Sequence, residues 1–229
     1  RNALLKLSYR RGALVALSDF GAFYHSVPDA DQRLDSLRFL MRTPGLVLLL
    51  ERPDLSDVDR IADYWRLDQQ KSVRRLLQSF AESKETAHLD VVHLLPPLAR
   101  ELSNLYLKAN YDAPTPSCYW SALNFDSLRP DSRLLITPKN AGAQDPLVWQ
   151  MLRQDYRAAP RAEQLGDIIA YRRSGSDELL HLCAYIAADV VFTKNGYGTA
   201  NPWCLMRLDD VDAYYLEPGV ARQVYRRAP

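Results

Sequence analysis

The 229-residue chain has no uninterrupted apolar run approaching the roughly 20 residues needed to cross a bilayer as a helix. Its densest apolar stretch, Leu46 to Leu50, is closed at once by Glu51 and Arg52, so no stable membrane span is expected. Nor is there an excess of either charge. Twenty-nine basic residues stand against twenty-eight acidic ones, a net charge of +1, and no bulk field draws in nucleic acid or an anionic membrane. Cysteine is scarce. Cys118, Cys183 and Cys204 are too few for a disulfide scaffold and lack the paired CxxC spacing of a structural zinc site, so no metal or other cofactor is expected. Internal repeats and low-complexity tracts are missing as well. What remains, 47% hydrophobic and 25% charged residues, is the composition of an ordinary folded protein whose partner must be argued from a site. An odd cysteine count leaves one thiol unpaired within the chain, either buried and inert or placed to react. The chain opens on Arg1, which leaves room upstream for an export signal.

Hydrophobic periodicity divides the chain in two. From Asp29 to about Leu107 the spacing is helical. Asp29 or Asp31 can cap a segment carrying Leu34, Leu37, Leu40 and Met41. Asp54 or Ser56 can start one with Val58, Ile61, Ala62 and Trp65 on one stripe, and Val73, Leu76, Leu77 and Phe80 repeat the pattern. A further amphipathic segment begins at Leu98, after Pro96 and Pro97. Between Asn110 and Pro116 the composition turns against helix, and a boundary is placed there: a mainly helical domain over 1–110 and a second domain over 111–229. In the second, a helix follows Cys118 and another covers Gln144 to Tyr156. GDIIAYR from Gly166, ELLHLCAYIA from Glu178, DVVFTK from Asp189 and a tyrosine-rich segment near Asp212 read as strands of a mainly antiparallel sheet. The fold class expected is α+β.

The chemistry converges on Cys118. Cysteine catalysis needs a thiolate near neutral pH, which a helix start and a neighbouring imidazole both favour. Pro114 and Pro116 hold the approach extended, Ser117 is a suitable cap, and YWSALNF can begin the helix, so first-turn N–H groups lie near the sulfur and can hold an oxyanion. For the base, His25, His88 and His93 lie in the helical region, whereas His181 lies in a strand. There His181, Cys183 and Tyr185 face one way and Leu182, Ala184 and Ile186 the other, which puts the imidazole on a mixed face where a substrate can reach it.

These residues resemble a family. Gly166-Asp167-Ile168-Ile169-Ala170-Tyr171 is similar to a strand of NlpC/P60 domains, and His181-Leu182-Cys183-Ala184-Tyr185-Ile186 to the strand that follows it. The resemblance covers roughly the last half of the chain and implies a papain-like cysteine hydrolase with Cys118 as nucleophile and His181 as base. The family usually has D-C-S-G at its nucleophile; this chain has Ser117-Cys118-Tyr119-Trp120. The family's third catalytic position aligns on Thr193, while Asn195, on the same strand face, offers an amide carbonyl suited to fixing the imidazole tautomer. Asn195 is taken as the third residue, with Thr193 as the alternative. Tyr119, Trp120, Lys194 and Tyr197 are candidates to line a substrate cleft. The substrate implied is a peptide or peptidoglycan fragment, met in the periplasm or outside the cell. Two other outcomes stay open: a catalytically inactive papain-like binding or structural module, and a thiol acyltransferase.

Simpler readings stand beside each of these. Cys183 can be the reactive thiol instead, or bridge to Cys118 or Cys204. Asn195 to Thr199 reads as a glycine-supported turn, and Trp120, Trp149 and Trp203 as core. Arg222, Arg226 and Arg227 read as a soluble terminus.

Overall fold

The computed structural model describes residues 8–11, 14–17, 20–40, 45–65, 72–103, 114–137, 144–196 and 201–228. A ribbon of β1 (Ser8–Arg11) and β2 (Leu14–Leu17) leads into α1 (Phe20–His25) and α2 (Ala30–Leu40). Asp29 is the cap of α2, its carboxylate accepting the Gln32 N–H at 2.8 Å. A short strand, β3 (Leu49–Glu51), precedes a 3₁₀ turn that starts after Asp54 and runs into α3 (Val58–Trp65). Then come α4 (Val73–Glu82), β4 (His88–Asp90), which pairs antiparallel with β3, and α5 (Pro97–Leu102). Of the expected apolar stripes, Val58, Ala62 and Trp65 on α3 and Val73, Leu77 and Phe80 on α4 are buried, whereas Ile61 is half-buried and Leu76 is exposed. The short ribbons were not expected from the helical spacing, because each strand is too brief to show an alternation of its own. Leu107 and most of the boundary between Asn110 and Pro116 lie outside the described residues.

The second half supplies α6 (Cys118–Leu123), α7 (Asp145–Asp155), β5 (Tyr156–Ala159), β6 (Ile168–Arg173), β7 (Leu179–Ala187), β8 (Val190–Lys194), β9 (Trp203–Arg207), α8 (Leu208–Tyr215) and β10 (Val220–Arg227). The six strands form one antiparallel sheet in the order β5-β10-β6-β7-β8-β9. The protein is therefore α+β with antiparallel sheets, and two readings near its end need correcting. The tyrosine-rich segment around Asp212 is α8, not a strand. Leu208 and Val211 are buried, Tyr215 recurs at the same helical spacing, and Asp209 and Asp210 occupy the first turn, where carboxylates favour a helix start. Arg222, Arg226 and Arg227 are not a loose terminus either. They belong to β10, which lies between β5 and β6, and they pair with Asp212, Asp167 and Asp126.

Two layers cover the sheet. On one face a single cluster joins Val58, Leu77 and Leu94 of the first half to Trp120, Val148, Leu182, Ala184, Ile186 and Phe192 of the second. Tyr64 adds a hydrogen bond to the Ile186 carbonyl at 2.6 Å, and the Leu46 N–H caps the open edge at Leu205, 2.8 Å away. On the other face Ile169, Tyr171, Cys183, Tyr185 and Val191 pack beneath Leu208 and Val211 of α8. The alternation read for β7 thus holds over 182–186. At its start the register slips: Tyr171 faces His181 but Arg172 faces Leu179. This bulge turns Leu179 to the first cluster although His181, two residues on, faces the second.

The Gly-Asp pair that opens β6 has a structural task. Gly166 adopts φ +84, a left-handed conformation open to glycine at little cost. Asp167 then turns inward, accepts the N–H groups of Glu163 and Gln164 at 2.9 and 3.0 Å, and meets the Arg226 guanidinium through both carboxylate oxygens at 2.9 and 2.7 Å.

Candidate active site

Thr115 forms an isolated bridge with Ile136, two 2.8 Å backbone bonds, which holds the approach to α6 extended. Ser117 caps the helix as expected, its hydroxyl accepting the Trp120 N–H at 3.2 Å, and it donates to Gln144 Oε1 at 3.5 Å. Gln144, itself buried, donates to the Leu134 carbonyl at 2.7 Å. Cys118 therefore starts a pinned helix and opens on a cleft of about 330 Å3, lined by Tyr119, Ile136, Gln144, Asp145, Glu178 and Tyr215 among others. Opposite α6, the first residue of β7 is clamped. The Leu179 N–H donates to Asp145 Oδ2 at 2.9 Å and its carbonyl accepts the Tyr119 hydroxyl at 2.5 Å.

The imidazole of His181 has no solvent exposure, so the expectation that it lies open to a substrate is not met. The reason is α8: Tyr215 lies flat on the ring, centroids 4.1 Å apart and planes 4° from parallel. On the sheet side His181 Nε2 meets Thr193 Oγ1 at 2.8 Å, and the Thr193 hydroxyl donates to Asn195 Oδ1 at 3.3 Å. The amide of Asn195 is turned by its NH2, which points at Met206 Sδ 3.1 Å away. Its carbonyl can only accept, so Thr193 gives its proton to Asn195 and accepts the one on Nε2. The imidazole is thereby set in the tautomer whose Nδ1 carries a lone pair, and that buried nitrogen has no hydrogen-bond partner. Thr193 is the residue that touches the imidazole. Asn195, the first choice from the sequence, acts one bond further out.

Cys118 and His181 are not hydrogen-bonded to one another in this arrangement, since Nδ1 is without a partner. One side chain links them: Tyr215 both stacks on His181 and lines the cleft with Cys118. Burial pushes the Cys118 thiol up to about 11, opposed by the N–H groups of Leu182, Tyr119 and Cys118 and by the charge of Lys194. Burial also pulls His181 down to about 3. The resting pair is a neutral thiol and a neutral imidazole.

That depression has a consequence for stability. An unfolded His181 takes up a proton near its ordinary 6.5, whereas the native one resists down to about 3. Between these limits the unfolded state binds more protons, so native stability is fully present above 6.5 and is lost as the pH falls, by up to about 1.4 kcal/mol per pH unit. Urea midpoints between pH 7 and 5.5, above the main titration of the carboxylates, are expected to decline in the wild-type chain and to decline less in His181→Asn. Parallel slopes would show that His181 is not held neutral.

Of the other residues singled out, Tyr119 does line the cleft. Trp120 does not; it is buried in the first cluster with its indole N–H unpartnered, because one residue along a helix turns the side chain by about 100°. Lys194 is also away from the lining, fully buried. Tyr197 lies outside the described residues. All three cysteines are free, so neither bridge to Cys183 is made, and Cys183 is sealed in the second cluster. Sequence reasoning missed Tyr215, Gln144, Asp145 and Glu178. Gln144 and Asp145 carried only the signal of a helix start, and Tyr215 sat in the segment misread as a strand. Among the described residues no group of His, Cys, Asp and Glu side chains is placed to hold a metal ion, and no helix is long and apolar enough to cross a membrane. No family model, curated protein or solved structure matches the chain.

Proposed function

We propose that this protein is a cysteine-dependent amide hydrolase that works through an acyl-enzyme. The reading is carried by one observation: an imidazole fixed by Thr193 and Asn195 with its bare Nδ1 lone pair left unused, next to a cleft onto which Cys118 opens. In the first step the Cys118 S–H bond breaks, its proton passes to Nδ1 of His181, and sulfur bonds to the substrate carbonyl carbon. The carbonyl electron pair moves to oxygen, which first-turn N–H groups receive. The amine departs with the proton from Nδ1, and water repeats the sequence to release the acid and restore the thiol. Both groups rest uncharged because burial penalises ions. Proton transfer then waits for a substrate that fills the cleft and brings thiol and imidazole into contact. The likeness of GDIIAY and HLCAYI to NlpC/P60 strands supports a papain-like domain and suggests peptides of the bacterial cell wall as substrate, outside the cytoplasm. If an amine takes the place of water in the second step, the same machinery is an acyltransferase.

A second reading is a papain-like module that binds without cleaving. It is favoured by the missing Cys118–His181 hydrogen bond and by the ring of Tyr215 over the imidazole. Incubation with peptidoglycan stem peptides separates the two. The wild-type chain is expected to release new amines and to carry an acyl adduct that mass spectrometry maps to Cys118, and Cys118→Ala to do neither. Identical products from both proteins would sink the hydrolase reading for these substrates, and an adduct on Cys183 or Cys204 would sink the nucleophile assignment.

A further inference from the structure

Lys194 is fully buried, an unusual place for an ammonium group. It follows Thr193 on β8 and so turns to the opposite sheet face, the one on which α6 packs; Phe192, two residues earlier, lies in the cluster with Trp120 and Leu123. Its Nζ donates to the Asn201 carbonyl at 2.7 Å and sits 4.9 Å above the ring of Trp203. The Trp203 indole N–H donates to Ser121 Oγ at 2.7 Å, and the Ser121 hydroxyl donates to the Ser117 carbonyl at 2.7 Å. A continuous run of contacts thus ties the ammonium group to the turn of α6 that begins with Cys118.

We propose that Lys194 is the buried counter-charge of the Cys118 thiolate, a positioning residue that acts on the nucleophile through its field and never meets the substrate. This rests on Cys118 being the nucleophile. Among the described residues, the ionisable groups around Cys118 are Tyr119 on α6, Asp145 at the start of α7, Glu178 just before β7, His181 and Cys183 on β7, Tyr215 on α8 and Lys194 on β8. Asp145 and Glu178 oppose a thiolate, and the tyrosines and Cys183 offer no positive charge. His181 is neutral at rest, so Lys194 is the one standing cation of this set. Its own neighbours include the two thiols Cys118 and Cys204. Burial draws the ammonium down to about 8, so the support is present below that pH and fades as the pH rises through it.

The test is the rate of Cys118 alkylation by iodoacetamide from pH 6 to 10, read site by site by mass spectrometry. Lys194→Met is expected to slow Cys118 about tenfold at pH 7.5, a tenfold change in thiolate being one unit of pKa, and the deficit is expected to close as the pH rises past about 8, where Lys194 loses its charge. Lys194→Arg, which stays charged throughout, is expected to stay near the wild-type rate. A purely structural lysine would leave the position of the profile unchanged. If Cys118 reacts and the Lys194→Met profile superimposes on wild type, the counter-charge is overturned and the hydrolase reading stands. If wild-type Cys118 is silent at every pH while Cys204 reacts, the nucleophile assignment fails and takes the counter-charge with it. Should circular dichroism show Lys194→Met unfolded, the wild-type profile decides: coupling to Lys194 spreads it over two steps with a break near 8, and a single-proton curve overturns the proposal.

Discussion

His181→Asn is expected to lower amide hydrolysis by about 10³-fold, within the range by which a positioned general base accelerates proton transfer. Asparagine is close to imidazole in size and polarity but has no basic lone pair to take the thiol proton. The substitution removes Nδ1, the imidazole nitrogen that has no partner, while leaving the Thr193 hydroxyl a polar neighbour. Thr193→Val makes the useful contrast. It deletes the 2.8 Å bond to Nε2 and frees the ring to adopt the other tautomer, so a smaller loss of about tenfold is expected, with the acid limb of the pH–rate profile displaced. Both variants are read as kcat/KM on the same peptide. Equal losses would mean that Thr193 does more than orient the ring, and full activity in His181→Asn would remove the imidazole from the mechanism.

Asp167→Asn is expected to destabilise the fold by about 3 kcal/mol, the scale on which removing one partner of a buried ion pair acts. Burial pushes the Asp167 carboxyl up, yet the Arg226 guanidinium and the N–H groups of Glu163 and Gln164 outweigh it and hold it below the usual carboxylate range. The asparagine amide can still accept from Glu163 and Gln164, so the cost is concentrated on Arg226, which is left with only 19% of its side chain exposed. A lower urea midpoint at unchanged slope in Asp167→Asn, partly restored by adding Arg226→Met, is the expected pattern. An additive double variant would show that the pair contributes nothing of its own. No change in activity is expected where the protein remains folded.

The contrast between these two sites explains what was legible in the sequence. Local signals translated well: the Asp29 and Ser117 caps, the apolar stripes of α3 and α4, and the strand alternation that sorted His181, Cys183 and Tyr185 from Leu182, Ala184 and Ile186. Alternation could not tell Thr193 from Asn195, which share a face; only the packed sheet shows which of them touches the imidazole. It also carried no sign of Tyr215, whose ring reaches His181 from a helix, nor of the bulge that reorients the start of β7. Tyrosine and valine favour strands by propensity, and around Asp212 that preference misled where the spacing of Leu208, Val211 and Tyr215 was helical. Arg222, Arg226 and Arg227 misled for a related reason. Charge suggested solvent, whereas each guanidinium answers a carboxylate brought near by the fold.

The seating of β10 between β5 and β6 bears on the order in which the protein assembles. Strands β6, β7, β8 and β9 are consecutive neighbours, a meander whose contacts close over short loops at modest entropic cost. His181, Thr193 and Asn195 all belong to that early piece, so the imidazole acquires its hydrogen-bonded support locally. Arg226 reaches Asp167 only when β10 slots in beside β6, a pairing across 59 residues. The latch at Asp167 is then expected to close late, on a meander of β6 to β9 that is already aligned.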